Sequence, residues 1–193
     1  FHKPLFGKRR HFIDLISIGI VREDLIGYYA ISTDFNPKDA NPWVKQHVLS
    51  KLPPSRKSRL WKSNQEIRTD LLDFFGCRPV GNPIDGKWKA PKDIEIWGYY
   101  ADYDWVLFCS LFGRMIDLPE GFPMYCRDLK QMMDEKAVEP FTLIRKAGQE
   151  NYILNDILEE MKKDTRFPRN NDEHHARNDA EWNRRLYEYL YRL

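Results

Sequence analysis

Trp97-Gly98-Tyr99-Tyr100-Ala101-Asp102-Tyr103-Asp104-Trp105 carries the change of period that decides the fold. Upstream, Asp93-Ile94-Glu95-Ile96 opens a strand that reaches Ala101. Downstream, the segment from Tyr103 to about Gly113 has helical spacing, with Val106, Leu107 and Leu111 as its inner face. A strand running into a helix puts its last residues at the carboxyl edge of a sheet, where α/β proteins keep their sites. Asp102 and Asp104, two acids at that junction, have two readings. Each is an ordinary helix cap, or they are oxygen ligands for a divalent cation of the magnesium class.

Working outward, the N-terminal side supplies strands. Phe12-Ile13-Asp14-Leu15-Ile16-Ser17-Ile18-Gly19-Ile20-Val21 is β-branched and apolar, Arg22-Glu23-Asp24 makes a turn, and Ile26 to Ser32 returns as a second strand. The pair reads as a hairpin, preceded by a loop over Phe1 to Arg10. Pro42 to Leu49 reads as a short helix entered through Asn41, with Pro42 at its first position. Ser63 to Glu66 has capping-box spacing and opens a helix carrying Ile67, Leu71, Phe74 and Phe75 up to Gly76. Cys77 to Pro91, rich in proline and glycine, is expected as a surface loop.

On the C-terminal side, Met124 to Arg127 is expected as a short strand and Asp128 to about Lys136 as a helix. A further helix over Asn151 to Lys163 carries Ile153, Ile157, Leu158 and Met161, and a polar stretch from Thr165 to Glu173 follows it. The last helix, Ala180 to Leu193, sets Trp182, Leu186, Tyr189 and Leu193 on one face. Strands followed by helices alternating with strands predict an α/β fold, a mixed β-sheet flanked by helices, in a single domain over residues 1–193.

Just ahead of that last helix stands His174-His175-Ala176-Arg177-Asn178-Asp179-Ala180. Asp179 falls three residues before Trp182, beside the core-facing stripe, and a carboxylate there needs a partner because an unpaired buried charge is costly. It is either the helix N-cap or a metal ligand with a histidine base nearby.

Composition limits the alternatives. Hydrophobic residues make up 42% of the 193, enough for a packed core. The formal net charge of +2 does not by itself mark a nucleic-acid binder, although Lys3 to Arg10 and Lys51 to Lys62 hold basic clusters. Cys77, Cys109 and Cys126 have no CxxC spacing, which argues against a disulfide framework or a structural zinc site and fits a reducing cytoplasm. No apolar run is long enough to span a membrane.

His174-x-Ala176-x-x-Asp179 in a late helix resembles the third motif of the DEDDh (DnaQ-like) 3'-5' exonucleases, and Tyr103-Asp104 resembles their second. More narrowly, Leu15-Ile16-Ser17-Ile18-Gly19, Tyr28-Tyr29-Ala30-Ile31-Ser32, Trp43-Val44-x-x-His47-Val48-Leu49 and Lys51-Leu52-Pro53-Pro54 are similar to the polyadenylate-specific exoribonucleases of the ribonuclease AS type. The resemblance implies a ribonuclease H-like fold and two divalent ions, Mg2+ or Mn2+, held by four acids; the ions, about 4 Å apart, clamp the attacking water and the leaving 3' oxygen of an in-line displacement. It further implies Asp104 and Asp179 as metal ligands and His174 as general base, with His175 and Asp102 as the alternatives for base and second-motif ligand. The expected substrate is the 3' end of single-stranded RNA, adenylate-rich in that family, and the family implies a homodimer. A DNA exonuclease and a nucleic-acid-binding module that has lost catalysis are the competing readings.

Trp97, Tyr99, Tyr100, Tyr103 and Trp105 interleave with the second motif, and at most half can leave the core to stack on bases. Tyr100 and Tyr103 are the substrate-binding candidates. The family's first motif, an Asp-x-Glu pair on the first strand, is not found: Asp14-Leu15-Ile16 places isoleucine at the glutamate position. The expectation is a domain lacking its first strand, with about ten to fifteen further residues ahead of Phe1 holding both carboxylates. A polypeptide without them is expected to be nearly inactive.

Overall fold

The computed structural model describes residues 13–82, 86–141, 159 and 161–193. The expected Phe1 to Arg10 loop lies outside them, as does most of the expected Asn151 to Lys163 helix with Ile153, Ile157 and Leu158.

The hairpin is present as β1 (Ser17–Val21) and β2 (Gly27–Ser32), antiparallel with Gly19 opposite Tyr29. Its turn closes through Arg22 N–H to the Ile26 carbonyl at 2.9 Å, and the Asp24 carboxylate accepts from Ile26 N–H. Among the described residues the ladder starts at Ser17; residues 14–16 carry no strand, although the Ile16 carbonyl accepts from Ser32 N–H. A third strand, β3 (Trp61–Lys62), pairs parallel to β2 and makes the sheet mixed.

Helix α1 (Pro42–His47) starts as expected: the Asn41 side chain accepts from Val44 N–H at 2.8 Å and Pro42 occupies the first turn. It tightens into a 3-10 turn over Leu49–Lys51. Helix α2 (Asn64–Phe74) has the full capping box. Ser63 Oγ accepts from Glu66 N–H, and the Glu66 carboxylate accepts from Ser63 N–H at 2.7 Å. It ends at Gly76, whose φ of 68° lets Cys77 N–H reach back to the Leu72 carbonyl.

The Cys77 to Pro91 segment is more structured than a surface loop. β4 (Arg78–Pro79) and β5 (Trp88–Lys89) pair antiparallel, and Lys89 is ion-paired with Glu120. Two-residue strands have no periodicity for a sequence to display, and Pro79 disguises one of them.

The strand expected over Asp93 to Ala101 contracts to β6 (Trp97–Gly98), parallel to β7 (Arg127–Asp128), which begins where the Met124 to Arg127 strand was expected to end. Backbone groups before Trp97 find partners elsewhere, as where Ile94 N–H donates to the Gly121 carbonyl. Beyond Gly98 the chain turns at Tyr100, with φ of 53°. Helices α3 (Asp102–Phe112) and α4 (Leu129–Phe141) follow β6 and β7. The inner face of α3 is Phe108, Cys109 and Leu111. Val106 is 57% exposed, because it lies two residues from Phe108 and so about 200° around the helix.

The last helix, α5 (Ala176–Tyr191), begins four residues earlier than expected and ends before Leu193. Leu186 and Leu190 are fully buried, whereas Leu193, beyond the helix end, is 49% exposed. Two cores result. Leu15, Ala30, Ile67, Leu71, Phe108 and Phe122 join the hairpin to α2 and α3, while Leu129, Met133, Met161, Leu186 and Leu190 join α4 to α5. The start of α5 lies against β1 so closely that a Cβ on Gly19 would stand 2.1 Å from the Ala176 carbonyl oxygen.

Candidate active site

Neither acid at the start of α3 is its cap. Ala101 occupies that position and no side chain caps the helix. The turn is held instead from β7. One oxygen of Asp128 accepts from Ala101 N–H at 2.8 Å, while the other accepts from Lys130 N–H at the start of α4. Asp102 and Asp104 therefore sit free in the first turn, where the helix dipole favours negative charge. At α5, too, the acid is not the cap. His175 is the N-cap residue, without a side-chain cap bond, and Asp179 lies within the first turn. The early start of α5 removes the cap reading for Asp179.

Asp104 lies within reach of the charge of Asp179 although 75 residues separate them in sequence. Burial pushes the Asp104 carboxyl up, and the charge of Asp179 pushes it further. Asp104 is nonetheless exposed by surface area. Burial also pushes Asp179 up. A bond from Asn170 Nδ2 at 2.7 Å, the charge of His174 and the His174 backbone N–H act against it. Two like charges in a partly desolvated site form an arrangement that a cation relieves.

The two histidines part company. His175 stacks on Tyr29 with ring centroids 4.8 Å apart, and its Nδ1 is buried without a partner among the described residues. His174 is exposed and adopts φ of 67°, one of three non-glycine residues at positive φ among the described residues; Tyr100 is another. Two strained backbones at the two junctions of one site fit the general tendency of strain to gather at functional positions. His174 stands edge-on to Trp43 at 4.9 Å, and Trp43 in turn stacks on His47 at 4.7 Å. Lys51 Nζ donates to Asp172 Oδ1 at 2.7 Å and to the Glu173 carbonyl, and Asn178 Nδ2 donates to the other Asp172 oxygen.

Asn170, Trp43, His47 and Lys51 thus support the site without having been assigned a role from sequence. Trp43 and His47, four apart on a helix, advertise contact with each other. Nothing local connects them, or Lys51, to a loop more than 120 residues away. Of the five interleaved aromatics, Trp97 packs on Tyr187, Tyr99 on Trp182, and Trp105 on Phe108. Tyr100 and Tyr103 stand 64% and 70% exposed beside the acids.

The donor set suits a hard cation: Asp104 and Asp179 offer carboxylate oxygens, which Mg2+ and Mn2+ take in preference to sulfur. Among the described residues no group of three or more His, Cys, Asp or Glu gathers as a metal site, so the two acids account for two ligands and no more. No helix among the described residues is long and apolar enough to cross a membrane.

Residues 6–191 match the 3'-5' exoribonuclease Rv2179c-like domain. A Mycobacterium tuberculosis H37Rv protein named 3'-5' exoribonuclease Rv2179c is 43% identical over 136 residues, covering 70% of this chain and 74% of the relative. The protein named 3'-5' exoribonuclease MT2234.1 from strain CDC 1551 / Oshkosh has the same identity and coverage. Distributed similarity of this extent, over a mixed α/β scaffold, places the chain in the Rv2179c-like 3'-5' exoribonuclease family.

Proposed function

We propose that the protein removes nucleotides from the 3' end of single-stranded RNA by the DEDDh scheme, with Asp104 and Asp179 as metal ligands and His174 as general base. What supports this reading is that α3 and α5, distant in sequence, each carry in the first turn an acid that is not the cap, with Asp104 within reach of the charge of Asp179 and the His174 backbone N–H bonded to Asp179. When bound, Mg2+ or Mn2+ at these carboxylates would neutralise phosphate charge and acidify a water. The scheme needs two further carboxylates, which the described residues do not gather here.

His174 is exposed, and its imidazole nitrogen can accept the proton of the attacking water. The water oxygen bonds to phosphorus, the bond from phosphorus to the 3' oxygen breaks, that oxygen takes a proton from solvent to become the new 3' hydroxyl, and a nucleoside 5'-monophosphate is released. His175, half-buried and stacked on Tyr29 with its Nδ1 buried, has less access. Tyr100 and Tyr103 present exposed rings on which terminal bases can stack. Adenylate preference and a homodimer, both implied by the family resemblance, belong to the same proposal.

Digestion of end-labelled RNA and DNA oligomers by the full-length protein tests it. Wild type should trim RNA from the 3' end, faster than DNA and fastest on adenylate tails. His174→Ala should slow it about 10²- to 10⁴-fold, and Asp104→Asn and Asp179→Asn should abolish it. Unchanged trimming in the His174 and Asp179 variants would end the proposal.

A further inference from the structure

On the reading above, we infer that a cationic groove along α5 carries the phosphodiester backbone of the RNA leading away from the scissile bond. The groove has a volume of about 440 Å³ and lies between the stretch from Arg166 to Arg169 and the second half of α5. Arg169, Arg185 and Arg192 line it, all exposed, and none has an ion-pair partner among the described residues. Its two nearby acids are already engaged: Asp164 with Arg166, and Glu188 with Arg184. The lining therefore presents three uncompensated guanidinium groups, which a polyanion neutralises.

The position of the groove favours RNA over an acidic protein. Its outer wall is tied to α5 at three levels: Asn170 Nδ2 donates to Asp179, Trp182 Nε1 donates to the Pro168 carbonyl at 2.9 Å, and Arg185 donates to the Arg169 carbonyl. The groove and the acid proposed to hold the metal thus lie along one loop–helix seam, the groove beside its Arg169–Arg185 end and Asp179 at the other. Thirteen residues at 1.5 Å each place Arg192 about 20 Å along the helix from Asp179. Arg185 and Arg192, seven residues apart, share one side of the helix. Tyr189 lies between them, packed edge-on against Phe167 at 5.4 Å, so an aromatic surface interrupts the cationic one. Charge alternating with aromatic surface is the pattern that tracks a single strand without reading its sequence.

Fluorescence anisotropy with the full-length protein in chelator, so that nothing is cut, tests the groove. The probe is a labelled single-stranded RNA decanucleotide titrated at several salt concentrations. Each phosphate contact on a single strand contributes about 0.7 to the slope of log affinity against log salt, so the Arg169→Gln/Arg185→Gln/Arg192→Gln variant should lose about 2 from that slope. Arg192→Gln alone, an exposed change at the helix end, should lose about 0.7 and guards against misfolding of the triple variant. In trimming assays KM for the decanucleotide should rise with kcat unchanged, and neither should change for a dinucleotide. An unchanged slope in both variants, or wild-type binding to polyglutamate as tight as to the RNA, overturns the inference. RNA that binds through the groove but is never trimmed would count against the exonuclease reading alone. Trimming with an unaltered slope would count against the groove alone.

Discussion

Gly19→Ala should disable the site from the opposite side of a strand. A Cβ at this position would lie 2.1 Å from the Ala176 oxygen, 2.4 Å from its carbonyl carbon and 2.6 Å from Arg177 N. Real Cβ atoms do not approach closer than 3.0 Å, so relief requires at least 3.0 − 2.1 = 0.9 Å of movement. All three obstacles are backbone at the first turn of α5, which cannot rotate away as a side chain would. The displaced turn carries His175 and Asp179 and follows directly on His174. Overpacking of this kind costs about 1–3 kcal/mol, and a 1 Å misplacement of reacting groups costs about 10²-fold in rate. For a chain of this size about 2 kcal/mol lowers Tm by roughly 4–8 °C. Thermal melts and trimming of end-labelled RNA measure both. Gly27→Ala on the partner strand is the matched control, since its Cβ meets nothing closer than 3.8 Å and should change stability by less than about 0.5 kcal/mol. Gly19→Ala with wild-type Tm and wild-type rate would refute the close seating of α5 on β1.

Lys51→Met should lower kcat about tenfold at unchanged KM by loosening the loop before His174, while global stability falls by no more than about 1 kcal/mol because the lost ion pair with Asp172 is partly exposed; Lys51→Arg should recover part of the rate in steady-state kinetics. Ser63→Ala removes half of the capping box on α2 and should cost about 1 kcal/mol in chemical denaturation. Arg166 holds the Asp164 carboxyl down to about 2, with its backbone N–H and the Tyr189 hydroxyl helping. A depressed carboxyl pKa stabilises the fold above the unfolded value near 3.9 and loses that contribution as pH falls towards about 2. Asp164→Asn should therefore flatten the decline in Tm between those two pH values and leave the rest of the acid profile as it is.

The local features of this fold were legible because their causes are local. Asn41-Pro42 and the Ser63 to Glu66 capping box fix helix starts through bonds spanning three residues, and the apolar run around Ile18 returns on itself through a short turn. Where pairing is set by distant partners, the sequence misleads. β6 shrinks to two residues because the backbone before it bonds to Gly121 rather than to a neighbouring strand. Val106, apolar, faces outward because the wheel of α3 is set by Phe108 and Leu111.

The site divides along the same line. Sequence by itself determined which residue types stand at the two helix starts, and their motif spacing pointed to Asp104, Asp179 and His174. It left both acids free to be caps. Only the tertiary structure decided otherwise, by giving the cap positions to Ala101 and His175, by folding His175 onto Tyr29, and by bringing Asp104 under the charge of Asp179. The reason is range. A cap is settled within four residues, but the charge of Asp179 acts on Asp104 only after two helices have been seated on a common scaffold.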